Sequence, residues 1–204
     1  MKFGFLGDSL THGYGLGNLT QRFSSLVSSY FGAEEINEGL DGSPITPDPW
    51  GAEAFLPRFL RMKKVDFLFV LGGTNDWGGT LAFLGEEGDE DEKTFYGAFA
   101  SLCQAILQVY PKEKVLILLP PSCFHENPVR EDEDSLNDFR EAERKVASRF
   151  GLSVLDLSPL LPIPSTNRGS DYHLDGVHLS EKGHRIIADS IIDYLVNNGS
   201  FARK

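Results

Sequence analysis

Ser9 closes an apolar run, in Lys2-Phe3-Gly4-Phe5-Leu6-Gly7-Asp8-Ser9. A strand that stops in Gly-Asp-Ser delivers one hydroxyl to the edge of a sheet. That hydroxyl is a weak nucleophile until a base takes its proton. The usual base is a histidine held in one tautomer by a carboxylate. Asp175-Gly176-Val177-His178 offers both within four residues, a spacing that lets the carboxylate reach one ring nitrogen while the other points outward. Attack on an acyl carbon also builds charge on an oxygen, which needs fixed donors. The candidates are the backbone N–H groups of Ser9 and Gly42 and the side-chain amide of Asn75, which lies just past an apolar run. Each stretch alone has a structural reading: a strand-to-helix turn, turn glycines, a helix cap at Asn75 and Asp76, a tight turn beside a surface imidazole. Their occurrence together, each at a strand end or at the start of the last helix, points to chemistry. His12, His125, His173 and His184 lack a carboxylate in a comparable frame; His184, inside the last helix, reads as structural, and His12 and His173 as loop residues able to line a pocket.

Five strands position these groups. They are read at Lys2–Leu6, Glu35–Asn37, Phe67–Leu71, Val115–Leu119 and Val154–Leu157, the third and fourth apolar on both faces as in a central parallel strand. Helices are expected from Asn18 or Thr20 to Phe31, from Gly51 to Met62 with a kink at Pro57, from Thr94 to Tyr110, from Ser135 to Phe150, and after a cap at Ser180. Residues 8–17 read as loop. The alternation predicts an α/β fold with a parallel sheet covered on both faces, in one domain over 1–204. Ligands of such folds bind outside the carboxyl ends of the strands, where Ser9, Gly42, Asn75 and Cys123 all fall.

Composition narrows the partners. The 204 residues carry a net charge of −11, which disfavours nucleic acid and anionic lipid, and no apolar run is long enough for stable membrane insertion. The N-terminal run is too short for a signal peptide, and two cysteines, Cys103 and Cys123, form neither a disulfide framework nor a zinc pattern. A cytoplasmic setting is expected. The acidic residues between 86 and 92 lack the ordered alternation of a calcium loop and read as a solvated segment. Residues 122–134 read as a long acidic loop, either covering a cleft or lying on the surface.

Together these stretches resemble the SGNH-hydrolase superfamily, the GDSL family of lipases and esterases. Gly7-Asp8-Ser9-Leu10 is similar to its first block, Asn37 with Gly42 to its second, Gly73-Thr74-Asn75-Asp76 to its third, and Asp175 with His178 to its fifth. The resemblance implies a flavodoxin-like three-layer fold with a five-stranded parallel sheet. It implies Ser9 as nucleophile, His178 as base, Asp175 as its orienter, and Ser9, Gly42 and Asn75 as oxyanion donors, with no metal or organic cofactor. The Gly-x-Ser-x-Gly elbow of α/β-hydrolases is absent, since Thr11 stands in place of its second glycine.

The expected partner is a small-molecule ester, an acyl or acetyl ester of a small molecule, lipid or carbohydrate. Asp8, Trp77, Phe124 and Tyr172 are candidate substrate contacts, with Tyr14 and Trp50 as further aromatics on the same rim. The alternative is a non-catalytic binding module on the same sheet, or an inactive relative. The lack of a Gly-Lys-Ser/Thr phosphate loop weighs against a nucleotide binder.

Overall fold

The computed structural model describes residues 1–48, 51–79, 82–127, 133–199 and 201. Five parallel strands, β1 (Lys2–Gly7), β2 (Glu34–Gly39), β3 (Phe67–Leu71), β4 (Val115–Leu119) and β5 (Ser153–Asp156), pair in the order β2-β1-β3-β4-β5. This is the flavodoxin-like order, whose direction of winding reverses between β1 and β3. The α-helices are α1 (Ser9–His12), α2 (Phe23–Phe31), α3 (Phe55–Arg61), α4 (Thr74–Gly78), α5 (Phe95–Val109), α6 (Leu136–Phe150) and α7 (Glu181–Asn197) among the described residues.

Period-two alternation along the strands sorts the core into two layers. Phe3 and Phe5 of β1, Phe67, Phe69 and Leu71 of β3, and Leu116 and Leu118 of β4 pack with α2 and α7. Leu6, Leu68, Val70, Val115, Ile117 and Leu119 pack against α3, α5 and α6 on the other face. Right-handed crossovers require this split: the step from β1 to β2 runs opposite to the later steps, so its helix lies on the opposite face.

Local chemistry moves several expected boundaries. Residues 9–12 form a helical turn rather than loop, because Asp8 caps it through a hydrogen bond from Leu10 N and Gly13 ends it in the left-handed region. The helix expected from Asn18 divides. Asn18 caps a short 3₁₀ turn, Leu19–Gln21, and the extended Arg22 separates it from α2. Helix α3 begins at Phe55, not Gly51, whose φ of 97° is not helical. Pro57 is therefore the third residue of α3. Its missing N–H falls among the donors that a first turn leaves unbonded anyway, so Pro57 needs no kink. β5 sits one residue earlier than expected.

An aromatic cluster holds the α2/α7 layer. Phe69 is 1% exposed, stacks on Phe5 with centroids 4.6 Å apart, and meets Phe3 at 5.5 Å. Phe69→Ala is expected to cost about 3–5 kcal/mol in urea unfolding, the sum of lost transfer energy and an uncollapsed cavity. A loss below about 1 kcal/mol contradicts this packing account.

Candidate active site

The sheet edge formed by the ends of β1, β2 and β3 gathers the predicted groups. After β1, the extended Asp8 turns the chain and its carboxylate accepts from Leu10 N at 2.9 Å. Ser9 then occupies the first position of α1, where a backbone N–H has no intrahelical acceptor. Helix α1 lies hard against β2: a Cβ on Gly39 would sit 2.2 Å from His12 N. Only glycine at 39 permits that approach.

Ser9 Oγ lies 3.0 Å from His178 Nε2, across 169 positions of sequence. His178 Nδ1 lies 2.7 Å from Asp175 Oδ2, while Asp175 Oδ1 accepts from His178 N at 2.8 Å and Val177 N at 3.1 Å. The turn is closed by Leu174 N donating to His178 O at 2.7 Å, with Gly176 at φ 87°. An ionised carboxylate only accepts, so Nδ1 carries the ring proton and Nε2 is left to accept from Ser9. Burial pushes the Asp175 carboxyl up, but hydrogen bonds from the His178 ring and from two backbone N–H groups outweigh it and hold the pKa below the usual aspartate value. The Tyr14 ring covers the imidazole, with centroids 4.3 Å apart.

The loop after β2 is tied to the end of β1, since Arg58 donates both to Gly7 O and to Ser43 Oγ. Ser43 N donates to Leu40 O, closing a turn in which Gly42 takes φ 71°. A Cβ there would meet nothing within 4 Å, so glycine serves the backbone angle and not space. Gly39 N is bound to Asn37 Oδ1 at 2.9 Å, whereas the Gly42 N–H bonds to no other described residue. Asn75, on α4 just past β3, donates from Nδ2 to Ser43 O at 3.2 Å and so ties the two loops together. Its neighbour Asp76 is fully buried and accepts from Ile45 N, Thr46 N and Thr46 Oγ1 at 2.7–2.9 Å.

Residues 5–186 match the profile of the GDSL-like Lipase/Acylhydrolase family. The chain belongs to that family.

Solved structures share the fold of this GDSL-like chain. A Lactobacillus plantarum protein has a TM-score of 0.81 at 24% identity, covering 98% of this chain and 97% of its own. A structure described as a possible lipase from Chitinophaga pinensis has a TM-score of 0.77 at 20% identity, covering 97% and 98%. A carbohydrate acetylesterase from Sinorhizobium meliloti has a TM-score of 0.70 at 21% identity, covering 97% and 99%. No curated protein matches in sequence.

The remaining rim residues take more ordinary places in this GDSL-like fold. Asp8 is 1% exposed and is used as a helix cap, so its carboxylate does not face the rim as expected of a substrate contact. Trp77 donates from its indole to Asp134 O, and Tyr172 lies under the Lys182 ammonium at 4.7 Å. Phe124 packs beside Gly176. Trp50 lies outside the described residues. His12, expected to lack a carboxylate, pairs with Asp41 at 2.8 Å. His184 is buried and its Nδ1 accepts from Phe23 N, which burial reinforces by lowering its pKa to about 4. Burial likewise pushes the Cys123 thiol up to about 12, leaving it protonated and inert. In the acidic loop, Asp89 and Asp91 accept from nearby backbone N–H groups and Glu87 pairs with Lys145. Among the described residues no cluster of metal-ligating side chains forms, and no helix is long and apolar enough to cross a membrane.

Arg58 has no counterpart in the sequence reading. It is 3% exposed and donates to Gly7 O at 3.0 Å, to Ser43 Oγ at 2.7 Å and to Glu38 O. One guanidinium thus ties the ends of β1 and β2 to the Gly42 turn. It also faces Asp8, whose pKa burial raises to about 7, with Asp76 adding to the rise and Leu10 N and Arg58 opposing it. The native state therefore binds more protons than the unfolded chain between about pH 4 and 7, so stability falls as pH rises through that window. Asp8→Asn keeps the capping oxygen and removes this penalty. Its gain in Tm is expected to be roughly 2 °C or more at pH 8 and smaller at pH 5, read by thermal unfolding; an equal gain at both pH values contradicts the assignment.

Proposed function

We propose that the protein is a serine esterase that hydrolyses a small carboxylic ester through an acyl-enzyme. The observation carrying this reading is the hydrogen-bonded chain Ser9–His178–Asp175, at 3.0 and 2.7 Å. In the proposed reaction, Ser9 Oγ attacks the acyl carbon and its proton passes to His178 Nε2. Asp175 holds Nδ1–H and stabilises the imidazolium. The carbonyl oxygen becomes an oxyanion, stabilised by the N–H groups of Ser9 and Gly42 and the Asn75 amide. His178 then returns the proton to the departing alcohol. Water, deprotonated by the same imidazole, attacks the acyl-enzyme and frees the acid and Ser9.

The alcohol leaves from the His178 side, because that ring must protonate it. Tyr14 and Leu174 flank this side, at 48% and 39% exposure. Both present apolar surface, which supports an alcohol with an alkyl or aromatic body in place of a fully polar one. The membership in a lipase/acylhydrolase family supports the reaction class.

Ser9→Ala is expected to abolish turnover of a short-chain nitrophenyl ester while leaving the thermal unfolding profile in place. Asn75→Ala is expected to lower kcat by roughly 10²–10³. Ser9→Ala turning over at the wild-type rate sinks the assignment of Ser9 as nucleophile, and a folded wild-type protein that turns over no ester returns the chain to the class of non-catalytic binders.

A further inference from the structure

Asp175 and His178 lie on a turn outside every strand and helix named above. Proton transfer demands placement within a fraction of an ångström, which such a turn cannot supply by itself. The bonds from Leu174 N to His178 O and from Ser180 N to Tyr172 O close the turn on itself, and the segment after β4 supports it from outside. Phe124 N donates to Gly176 O at 2.8 Å, between the two side chains in question, and the His173 ring meets Ser122 O at 3.2 Å. Residues 122–127 also lack regular structure, so these two ties hold the turn only as firmly as this segment is itself held.

A buried ion pair fixes that segment. Arg140 reaches out from α6 with 2% exposure; Nε donates to Pro120 O at 2.8 Å, and Nη2 to Pro121 O at 3.0 Å and to Glu126 Oε2 at 2.8 Å. Glu126, 6% exposed, also accepts from Cys123 N at 3.1 Å and from Ser122 Oγ at 3.2 Å. Its backbone oxygen accepts from Leu136 N at the start of α6. His125, between Phe124 and Glu126, takes φ 58°, the one non-glycine residue at positive φ among those described. Such a conformation persists only where its surroundings over-determine it. Buried ion pairs contribute little net stability, since desolvation offsets the attraction. What this pair supplies is geometry: one guanidinium and one carboxylate together engage residues 120, 121, 122 and 123.

We propose that Glu126 and Arg140 are positioning residues for His178. They set residues 122–127, which hold the Asp175–His178 turn in register with Ser9 through the Phe124–Gly176 and Ser122–His173 contacts. The kinetic side of this proposal rests on the esterase reading; the geometric side does not. It also gives residues 122–127 a role the sequence did not suggest, a buttress under the turn and not a cover over a cleft.

The test pairs NMR with kinetics. In the wild-type protein labelled with ¹⁵N-histidine, the His178 Nδ1 proton bonded to Asp175 gives a far-downfield resonance, assigned by its loss in His178→Ala. Glu126→Gln keeps the side-chain shape and removes the charge. The expected result is loss or broadening of that resonance while amide signals of β3 and β4 persist. On nitrophenyl acetate, kcat falls by about 10²-fold and KM stays nearly constant. A folded Glu126→Gln protein that keeps both the resonance and kcat overturns the proposal. If Glu126→Gln does not fold, Ser122→Ala carries the test: it removes the hydroxyl's contacts to Glu126 Oε1 and to Ser158 O and is expected to broaden the same resonance and lower kcat to a smaller extent, and an unchanged resonance overturns the proposal. Loss of the resonance in Glu126→Gln, in a protein that hydrolyses no ester, leaves the positioning role standing and removes the esterase reading instead.

Discussion

The hydrogen bond between Ser9 and His178 joins the turn after the first strand to the loop before α7, 169 positions away. Its length tolerates little error, and every layer of the fold bears on it. The hydroxyl is placed by a strand buried on both faces and a one-turn helix capped by Asp8. The imidazole is placed by a turn that no regular element contains. The sheet therefore fixes one partner directly, whereas the other depends on hydrogen bonds between loops.

Buried polar groups do much of that work. Arg58 ties the ends of β1 and β2 to the turn carrying Gly42, Asp76 ties the following loop to α4, and the Glu126–Arg140 pair supports the turn under His178. Charges of this kind cost desolvation energy, and well-packed apolar groups often replace them without loss of stability. Their concentration at one end of the sheet, while its middle is phenylalanine, leucine, isoleucine and valine, separates two tasks. The aromatic and aliphatic layers hold the fold, and the buried charges hold the loops. Burial raises the pKa values of the Asp8, Asp76 and Glu143 carboxyls, and Asp76 adds to the rise at Asp8 and at Glu143.

Much of this was legible in the sequence, and the reason is periodicity. β3 and β4 are apolar on both faces and fell where expected, and Ser135 and Gly151 bounded α6 through a capping box and a left-handed cap. Ser9, Gly42, Asn75, Asp175 and His178 each follow or precede such an element, so their common rim was readable from chain direction. The misses are of two kinds. Short helices carry too few residues for a period, which hid α1 and let α3 start too early. Long-range polar contacts leave no local trace: the His12–Asp41 pair spans 29 positions, and the acceptors of Arg58 and Arg140 are mostly backbone carbonyls that any residue could supply. A lone arginine in the apolar run Phe55-Leu56-Pro57-Arg58-Phe59-Leu60 was the one available hint.

The central claim is that Ser9 is a nucleophile activated by His178. Intact-mass and peptide mapping after treatment with a fluorophosphonate tests it most directly, because the reagent reports a covalent bond without assuming any substrate. The account predicts a single adduct on the peptide bearing Ser9, formed by the wild-type protein and lost in His178→Ala. A folded wild-type protein that stays unlabelled, or one labelled elsewhere in the chain, contradicts it.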